Sequence, residues 1–573
     1  MKEQIKRLVL QGEFTEARKK ITEYRKADNV YDDEIAILDA AIYDYEGDEI
    51  GLFCSIKEGL EYNHRNYELY FMLGNYYARI NPNQAYLCYE NALFYCNNQD
   101  VNIIEQQILL LKSNALIDVT KVAFVILSYN AFQITKQCIE SIRSNTPKQA
   151  YELVVVDNAS TDESVEWLKK QKDIKLICNQ ENRGFPEGCN QGILLAENES
   201  DILLLNNDTL VPENAIFWLR MGLYENELVG ATGSVSNNCP NYQTIQDTQV
   251  TDKNYRNIAR KYNIPLIAPY EEKSWLVGFA LLLKRTVLNQ VGLLDTRFTP
   301  GNFEDNDLCF RILEAGFKIR LCLNSFIFHY GSISFNKNKE RFLKLLETNE
   351  RKFIEKWDFH PSKYTYIKKE VIELICQQTY DEFSVLDIGC GCGATLARIR
   401  RNYPNVILHG IEKNEKAAHI ANFLFPVECG DIESIDIPED IIYDYIILSG
   451  VMEHVIEPAK VLKKVREHLK PGGKLLLSAY NIMHVSALYQ ILKGSFYYAT
   501  SEVLNKEHIK YFTGQDLVTL LEECDYKICD FTFTESPYKL PKEEEDYLVS
   551  LSSKQENKKL HEAFQFIVSA SFM

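Results

Sequence analysis

Val385-Leu386-Asp387-Ile388-Gly389-Cys390-Gly391-Cys392-Gly393 is an apolar run that ends in three alternating glycines. The pattern predicts a buried strand, a tight turn and then a helix, because glycine lets a backbone turn sharply and approach a neighbour closely. Downstream, Val406 to Ile411, Tyr445 to Leu448 and Lys474 to Ser478 repeat the short apolar run, and Phe564 to Ala570 reads as a last strand. Upstream, Val122 to Leu127, Tyr151 to Val156, Ile174 to Ile177 and Asp201 to Leu205 do the same, each followed by a helix-like segment. Such alternation predicts parallel, doubly wound sheets covered on both faces. A charged helical stretch from about Asn336 to Glu373 separates the two α/β regions, and the boundary is placed near residue 360.

Ahead of both lies a segment, residues 1–116, rich in Ala, Leu, Glu and Tyr and poor in strand signals. Tyr70, Leu73, Gly74 and Tyr77 repeat the W-x2-L-G-x2-Y spacing with Tyr in place of Trp, and Ala85, Tyr89 and Ala92 continue it after a one-residue deletion near Pro82. Leu8, Gly12 and Ala17 form a fainter echo. The segment resembles a short tetratricopeptide array; a plain helical bundle is the alternative. The fold class expected is therefore multidomain, an α-helical repeat arm followed by two α/β domains, with domains at 1–116, 117–360 and 361–573.

Bulk properties narrow the function. A chain of 573 residues is too long for one core. Its net charge of −18 argues against nucleic acid or an anionic membrane surface as partner. The start, Met1-Lys2-Glu3-Gln4, is polar, and the most apolar window, Trp275 to Leu283, is too short to span a bilayer. The 15 cysteines are scattered, which fits free thiols in a reducing cytoplasm better than a disulfide framework or zinc site. A cytoplasmic protein, not integral to a membrane, is expected.

In open α/β sheets ligands bind beyond the carboxyl ends of the strands. The first strand of the upstream region ends in Ser128-Tyr129-Asn130, the second in Asp157-Asn158-Ala159-Ser160-Thr161-Asp162. The third is followed by Asn182-Arg183-Gly184-Phe185 and Gly188-Cys189-Asn190-Gln191-Gly192, and the fourth ends in Asn206-Asn207-Asp208. This ordered set resembles glycosyltransferase family 2 with the GT-A fold. The likeness continues through Trp275-Leu276-Val277-Gly278, Asn302-Phe303-Glu304-Asp305-Asn306-Asp307-Leu308 and Phe328-His329-Tyr330-Gly331. It implies a nucleotide sugar bound by Ser128, Asn130, Asp157, Arg183, Asn207 and Asp208, with Asp157 receiving the base of a uridine-type or thymidine-type donor. It implies a divalent ion, Mn2+ or Mg2+, on Asp208 and His329. A hard cation offsets the charge of a diphosphate leaving group. The family's Asp-x-Asp reads Asn206-Asn207-Asp208 here, which leaves one carboxylate and more room for water and substrate oxygens. Inverting transfer needs a base opposite the leaving group; by resemblance this is Asp305, with Asp307 as fallback.

Returning to Val385–Gly393, Gly389, Gly391 and Ala394 also satisfy the dinucleotide spacing G-x-G-x-x-G/A, with Glu412 where a ribose-binding acid belongs. A nicotinamide enzyme is one reading. Asp387 two residues before the first glycine, the extra Gly393, and the downstream Gly430-Asp431, Leu448 to Val455 and Leu469-Lys470-Pro471-Gly472-Gly473 instead resemble class I S-adenosylmethionine-dependent methyltransferases. That resemblance implies donor binding by Asp387, Gly389, Gly391, Gly393, Glu412 and Asp431. His454 and His508 are candidate bases, with a structural role as the blander reading.

The function expected is a bifunctional transferase that glycosylates a protein (flagellin-like or another surface protein) or a surface glycan and methylates the glycoconjugate. The helical repeats would bind a protein partner. A scaffold with one active domain, or a glycosyltransferase serving polysaccharide synthesis alone, is the alternative.

Overall fold

The computed structural model describes the chain except residues 29–31, 98, 248, 332–338, 439–440, 499–502, 536–539, 551–560 and 573. It forms two compact units, Met1–Lys352 and Phe353–Met573, and the division falls inside the helix Lys339–Trp357.

Among the described residues the first unit opens with seven helices: α1 (Lys2–Leu10), α2 (Phe14–Asp28), α3 (Asp33–Glu46), α4 (Glu49–Tyr62), α5 (Tyr67–Ala78), α6 (Pro82–Tyr95) and α7 (Val101–Asn114). Asp32, Asp48, Asn66 and Asn81 cap α3 to α6, each side chain accepting from a backbone N–H of the first turn. The small residues act as close-approach points: a Cβ on Gly74 would fall 2.3 Å from the Tyr89 ring, so α5 and α6 touch there.

This helical layer shares one core with the sheet that follows. Tyr70 is fully buried and its ring meets Phe217 edge-on at 5.4 Å. Gln84 donates to the Met221 carbonyl at 2.9 Å, and Asn81 to those of Tyr224 and Glu225. Glu90 and Arg220 form an ion pair with side chains 8% and 5% exposed.

Among the described residues ten strands follow: β1 (Val122–Ser128), β2 (Tyr151–Asp157), β3 (Ile174–Cys178), β4 (Asp201–Asn206), β5 (Thr209–Leu210), β6 (Val229–Val235), β7 (Tyr270–Glu272), β8 (Ala280–Leu283), β9 (Lys318–Phe326) and β10 (Phe328–His329). Eight make one sheet in the order β3-β2-β1-β4-β8-β6-β9-β7, and β5 pairs with β10 apart from it. The expected parallel arrangement holds for β3-β2-β1-β4. Beyond β4 the sheet is mixed, because β8 runs antiparallel to both β4 and β6. The strand order switches between β1 and β4, and open α/β sheets bind ligands beyond the carboxyl ends of the strands at such a point.

The second unit has β11 (Ser384–Ile388), β12 (Ile407–Glu412), β13 (Val427–Cys429), β14 (Tyr443–Ser449), β15 (Leu469–Tyr480), β16 (Tyr526–Glu535) and β17 (Ala563–Phe572). Their order is β13-β12-β11-β14-β15-β17-β16, parallel except at β17, which is antiparallel to β15 and β16. The strand order switches between β11 and β14, the position at which open α/β sheets bind ligands, and the glycine turn follows β11 there.

Candidate functional site

In the first unit the strand ends are laced together. Asn130 Oδ1 accepts from the Thr161 N–H at 2.8 Å, and Ser160 Oγ accepts from the Asn130 N–H at 2.8 Å. Asn158 Nδ2 donates to Asn182 while its Oδ1 accepts from the Arg183 N–H, so the third loop is fixed to the second. Gly188 and Gly192 lie four residues apart on the helix Phe185–Leu195; a Cβ there would fall 2.3 Å from Leu127 and 2.5 Å from Val125, so both glycines serve close contact with β1.

Asp157 is fully buried, with Oδ1 accepting from the Ser160 N–H at 2.8 Å and Oδ2 without a hydrogen-bond partner. The Ser128 hydroxyl is likewise buried and unpartnered. Arg183 pairs with Glu187 at the surface, and Asn207 donates to Thr135 at 2.9 Å.

The β5–β10 ladder sets Thr209 opposite His329, which brings the neighbouring Asp208 to the imidazole. Nε2 of His329 lies 3.2 Å from Asp208 Oδ1, with side chains 11% and 14% exposed. Nδ1 lies 2.8 Å from the Asn238 carbonyl, so it carries a proton and Nε2 faces the carboxylate. Burial pulls the imidazole down, but the hydrogen bond and charge of Asp208 offset this and leave its pKa above the ordinary value. Among the described residues no group of three or more His, Cys, Asp and Glu side chains converges to hold a metal.

At the start of the helix Glu304–Glu314, Asp305 accepts from the N–H groups of Gly278 and Asn306, both at 2.9 Å. Burial raises its pKa, and the two N–H groups oppose the rise. Glu304, 6% exposed, has an unpartnered Oε2, and burial together with Asp305 pushes its carboxyl well up. Asp307 is fully buried and bound to Arg311 Nε at 2.9 Å, while that guanidinium also holds the Val291 and Leu293 carbonyls.

In the second unit Gly389, Gly391 and Gly393 all have positive φ, at 72°, 56° and 80°. Gly391 donates its N–H to Glu412 Oε2 at 2.8 Å, and Asn414 donates to Oε1 at 2.8 Å. Burial raises the Glu412 pKa against those two bonds. Asp387 is fully buried with Oδ2 unpartnered; burial raises it and Lys368, 3.2 Å from Oδ1, draws it back. Asp431 pairs with Lys413 at 2.7 Å, which lowers its pKa. The rings of His454 and His508 meet at 5.1 Å, and each places Nδ1 on a backbone carbonyl, Glu507 at 3.1 Å and Val503 at 3.0 Å.

Family models match both α/β regions: "Glycosyl transferase family 2" over residues 123–291 and "Methyltransferase domain" over residues 333–530. The chain carries a glycosyltransferase domain and a methyltransferase domain. The methyltransferase domain is similar to a ubiquinone biosynthesis O-methyltransferase of Acinetobacter baylyi, 26% identical over 156 residues, 26% of this chain and 65% of that one. It is also similar to a dTDP-4-amino-2,3,4,6-tetradeoxy-D-glucose N,N-dimethyltransferase of Saccharopolyspora spinosa, 30% identical over 116 residues, 19% of this chain and 46% of that one. The chain thus spans about two thirds of the first relative and under half of the second. A mannosyltransferase from Pyrobaculum calidifontis in complex with GDP-Man and Mn2+ resembles the chain at 17% identity and TM-score 0.32, covering 47% of this chain and 76% of that one.

The residues singled out by motif in the glycosyltransferase domain lie at the carboxyl ends of β1, β2 and β4, in the loop after β3 (Arg183) and at β10, with Asp305 and Asp307 on the helix Glu304–Glu314. Those of the methyltransferase domain lie on β11, β12 and the turns after β11 and β13. Three participants carried no motif signal. Asn238 orients His329, Tyr364 accepts from the Cys392 N–H at 2.7 Å, and Lys368 stands on the glycine turn. None has a fixed spacing from the residue it serves.

Proposed function

We propose that the chain transfers a sugar from a nucleotide donor with inversion and methylates the same glycoconjugate. The acceptor is a surface protein, flagellin-like or otherwise, or a surface glycan, and the site of action is the cytoplasm. The observation that carries the first reaction is the meeting of Asp208 and His329 past the end of β4, on the same sheet edge where β2 ends in the unpartnered oxygen of Asp157. A carboxylate oxygen and an imidazole nitrogen with its tautomer set by Asn238 suit a Mg2+ or Mn2+ ion whose other positions go to water and diphosphate. When bound, that ion neutralises charge on the leaving diphosphate. Asp157 Oδ2 accepts from the base N–H, which favours a UDP-type donor, with Ser128, Asn130, Arg183 and Asn207 around the nucleotide. Asp305 takes the proton of the acceptor hydroxyl, and Asp307, bound to Arg311, positions that helix.

In the methyltransferase domain the positive-φ glycines, the orphan oxygen of Asp387 and the buried Glu412 suit S-adenosylmethionine, which supplies an activated methyl group when bound. Asp431 stands by the adenosine end. His454 and His508 each offer an unprotonated Nε2, because Nδ1–H is committed to a carbonyl, and so can take a proton from a methyl acceptor.

The test incubates the purified protein with UDP-, dTDP- and GDP-sugars, Mn2+ and labelled S-adenosylmethionine, and measures nucleotide released and label transferred. Metal-dependent release from a UDP-sugar is expected. Binding of both donors without any turnover would favour the scaffold alternative.

A further inference from the structure

The methionine end of S-adenosylmethionine is a zwitterion, so its pocket needs oxygen acceptors for an ammonium and a cation for a carboxylate. The end of β11 and the turn after it offer the acceptors: the Asp387 carboxylate and the Gly389 carbonyl. A cation already stands there. Lys368 Nζ lies 3.2 Å from Asp387 Oδ1 and 2.9 Å from Gly389 O, with its side chain 13% exposed.

The lysine lies between the helices Pro361–Tyr364 and Lys369–Ile372, and this region is bound at two further points, to the glycine turn and to the helix Ala394–Asn402 that follows it. The Lys368 N–H donates to Thr395 Oγ1 at 3.2 Å, and the Tyr364 carbonyl accepts from the Cys392 N–H at 2.7 Å. Its backbone is thereby held while the long side chain remains able to change partners. A counter-ion role for Asp387 alone would not account for the bond to the Gly389 carbonyl, nor for the buried Oδ2 left without a donor.

We propose that Lys368 receives the α-carboxylate of the methyl donor, while Asp387 and the Gly389 carbonyl, which hold the lysine here, receive the donor's α-ammonium. One ammonium replaces another on those oxygens, and the displaced lysine meets the carboxylate that arrives with it. The charge of the pocket stays balanced throughout. Lys368 is then a specificity residue for donors that keep their amino-acid end. This rests on the methyltransferase reading of the second unit.

The test is calorimetric titration of the full chain with S-adenosylhomocysteine and with 5′-methylthioadenosine, which lacks the amino-acid end, for wild type, Lys368→Met and Lys368→Arg. Lys368→Met should weaken S-adenosylhomocysteine by about 10- to 100-fold, as expected for one charge-assisted pair. It should leave 5′-methylthioadenosine unchanged, and Lys368→Arg should recover most of the loss. Equal affinity of Lys368→Met and wild type for S-adenosylhomocysteine would overturn the assignment. So would an equal loss for both ligands, which would mark damage to the glycine turn. A wild-type chain that binds neither ligand would refute the methyltransferase reading itself.

Discussion

At the scale of single residues, Asp208 and Glu453 make the sharpest claims. Asp208 is the one carboxylate of Asn206-Asn207-Asp208, and His329 depends on it for its raised pKa. Asp208→Ala should cut metal-dependent nucleotide release by at least about 100-fold while leaving thermal unfolding nearly unchanged. Full release in that variant would sink the metal assignment. Glu453 is 1% exposed, and burial lifts it to about 7 from the ordinary 4.5. The folded chain therefore keeps a proton that the unfolded chain gives up, so the group's stabilising contribution is complete below 4.5 and is lost as pH rises to about 7. Glu453→Gln stays neutral, and its stability relative to wild type should rise by about 3 kcal/mol between about pH 5 and pH 8 in urea unfolding. His484 and His508 have the opposite sign. Burial pulls both to about 4 from 6.5, so their contribution is present above 6.5 and is lost as pH falls toward 4.

At the scale of elements, two junctions bear testing. Arg220 is buried against Glu90 of α6 and also donates to the Thr120 carbonyl at 3.1 Å. Glu90→Ala leaves the guanidinium buried without its partner charge and should destabilise the first unit by about 3–5 kcal/mol in denaturant unfolding. Deleting residues 1–116 should for the same reason unfold the sheet beside them, where a detachable recruiting arm would leave it intact. The second junction is the glycine turn. A Cβ on Gly391 would fall 2.4 Å from the Tyr364 carbonyl, at a φ of 56° that side chains rarely adopt. Gly391→Ala should therefore lower both the melting temperature of the second unit and its affinity for S-adenosylhomocysteine, whereas unchanged binding would show that the loop relaxes freely.

At the scale of the molecule, each unit has its own hydrophobic core, one running from Ala36 to Ile327 and one from Leu386 to Ala570. Residues 1–352 and 353–573 expressed apart should each fold, the first keeping nucleotide release and the second donor binding; loss of both would mean that the units fold only together. Sequence alone determined the two α/β regions, because strands buried on both faces are written as unbroken apolar runs and a glycine turn has few alternatives. It also marked Asp157, Asp208, Asp305 and Asp387, since those carboxylates follow strands or sit in fixed clusters. It did not show that the helices and the first sheet share a core, because Glu90 and Arg220 are 130 residues apart and their pairing leaves no local period. Nor did it show Lys368 on the glycine turn or Asn238 behind His329. Those roles arise where a loop of free length returns to a strand end, and only the tertiary structure decides which side chain it delivers.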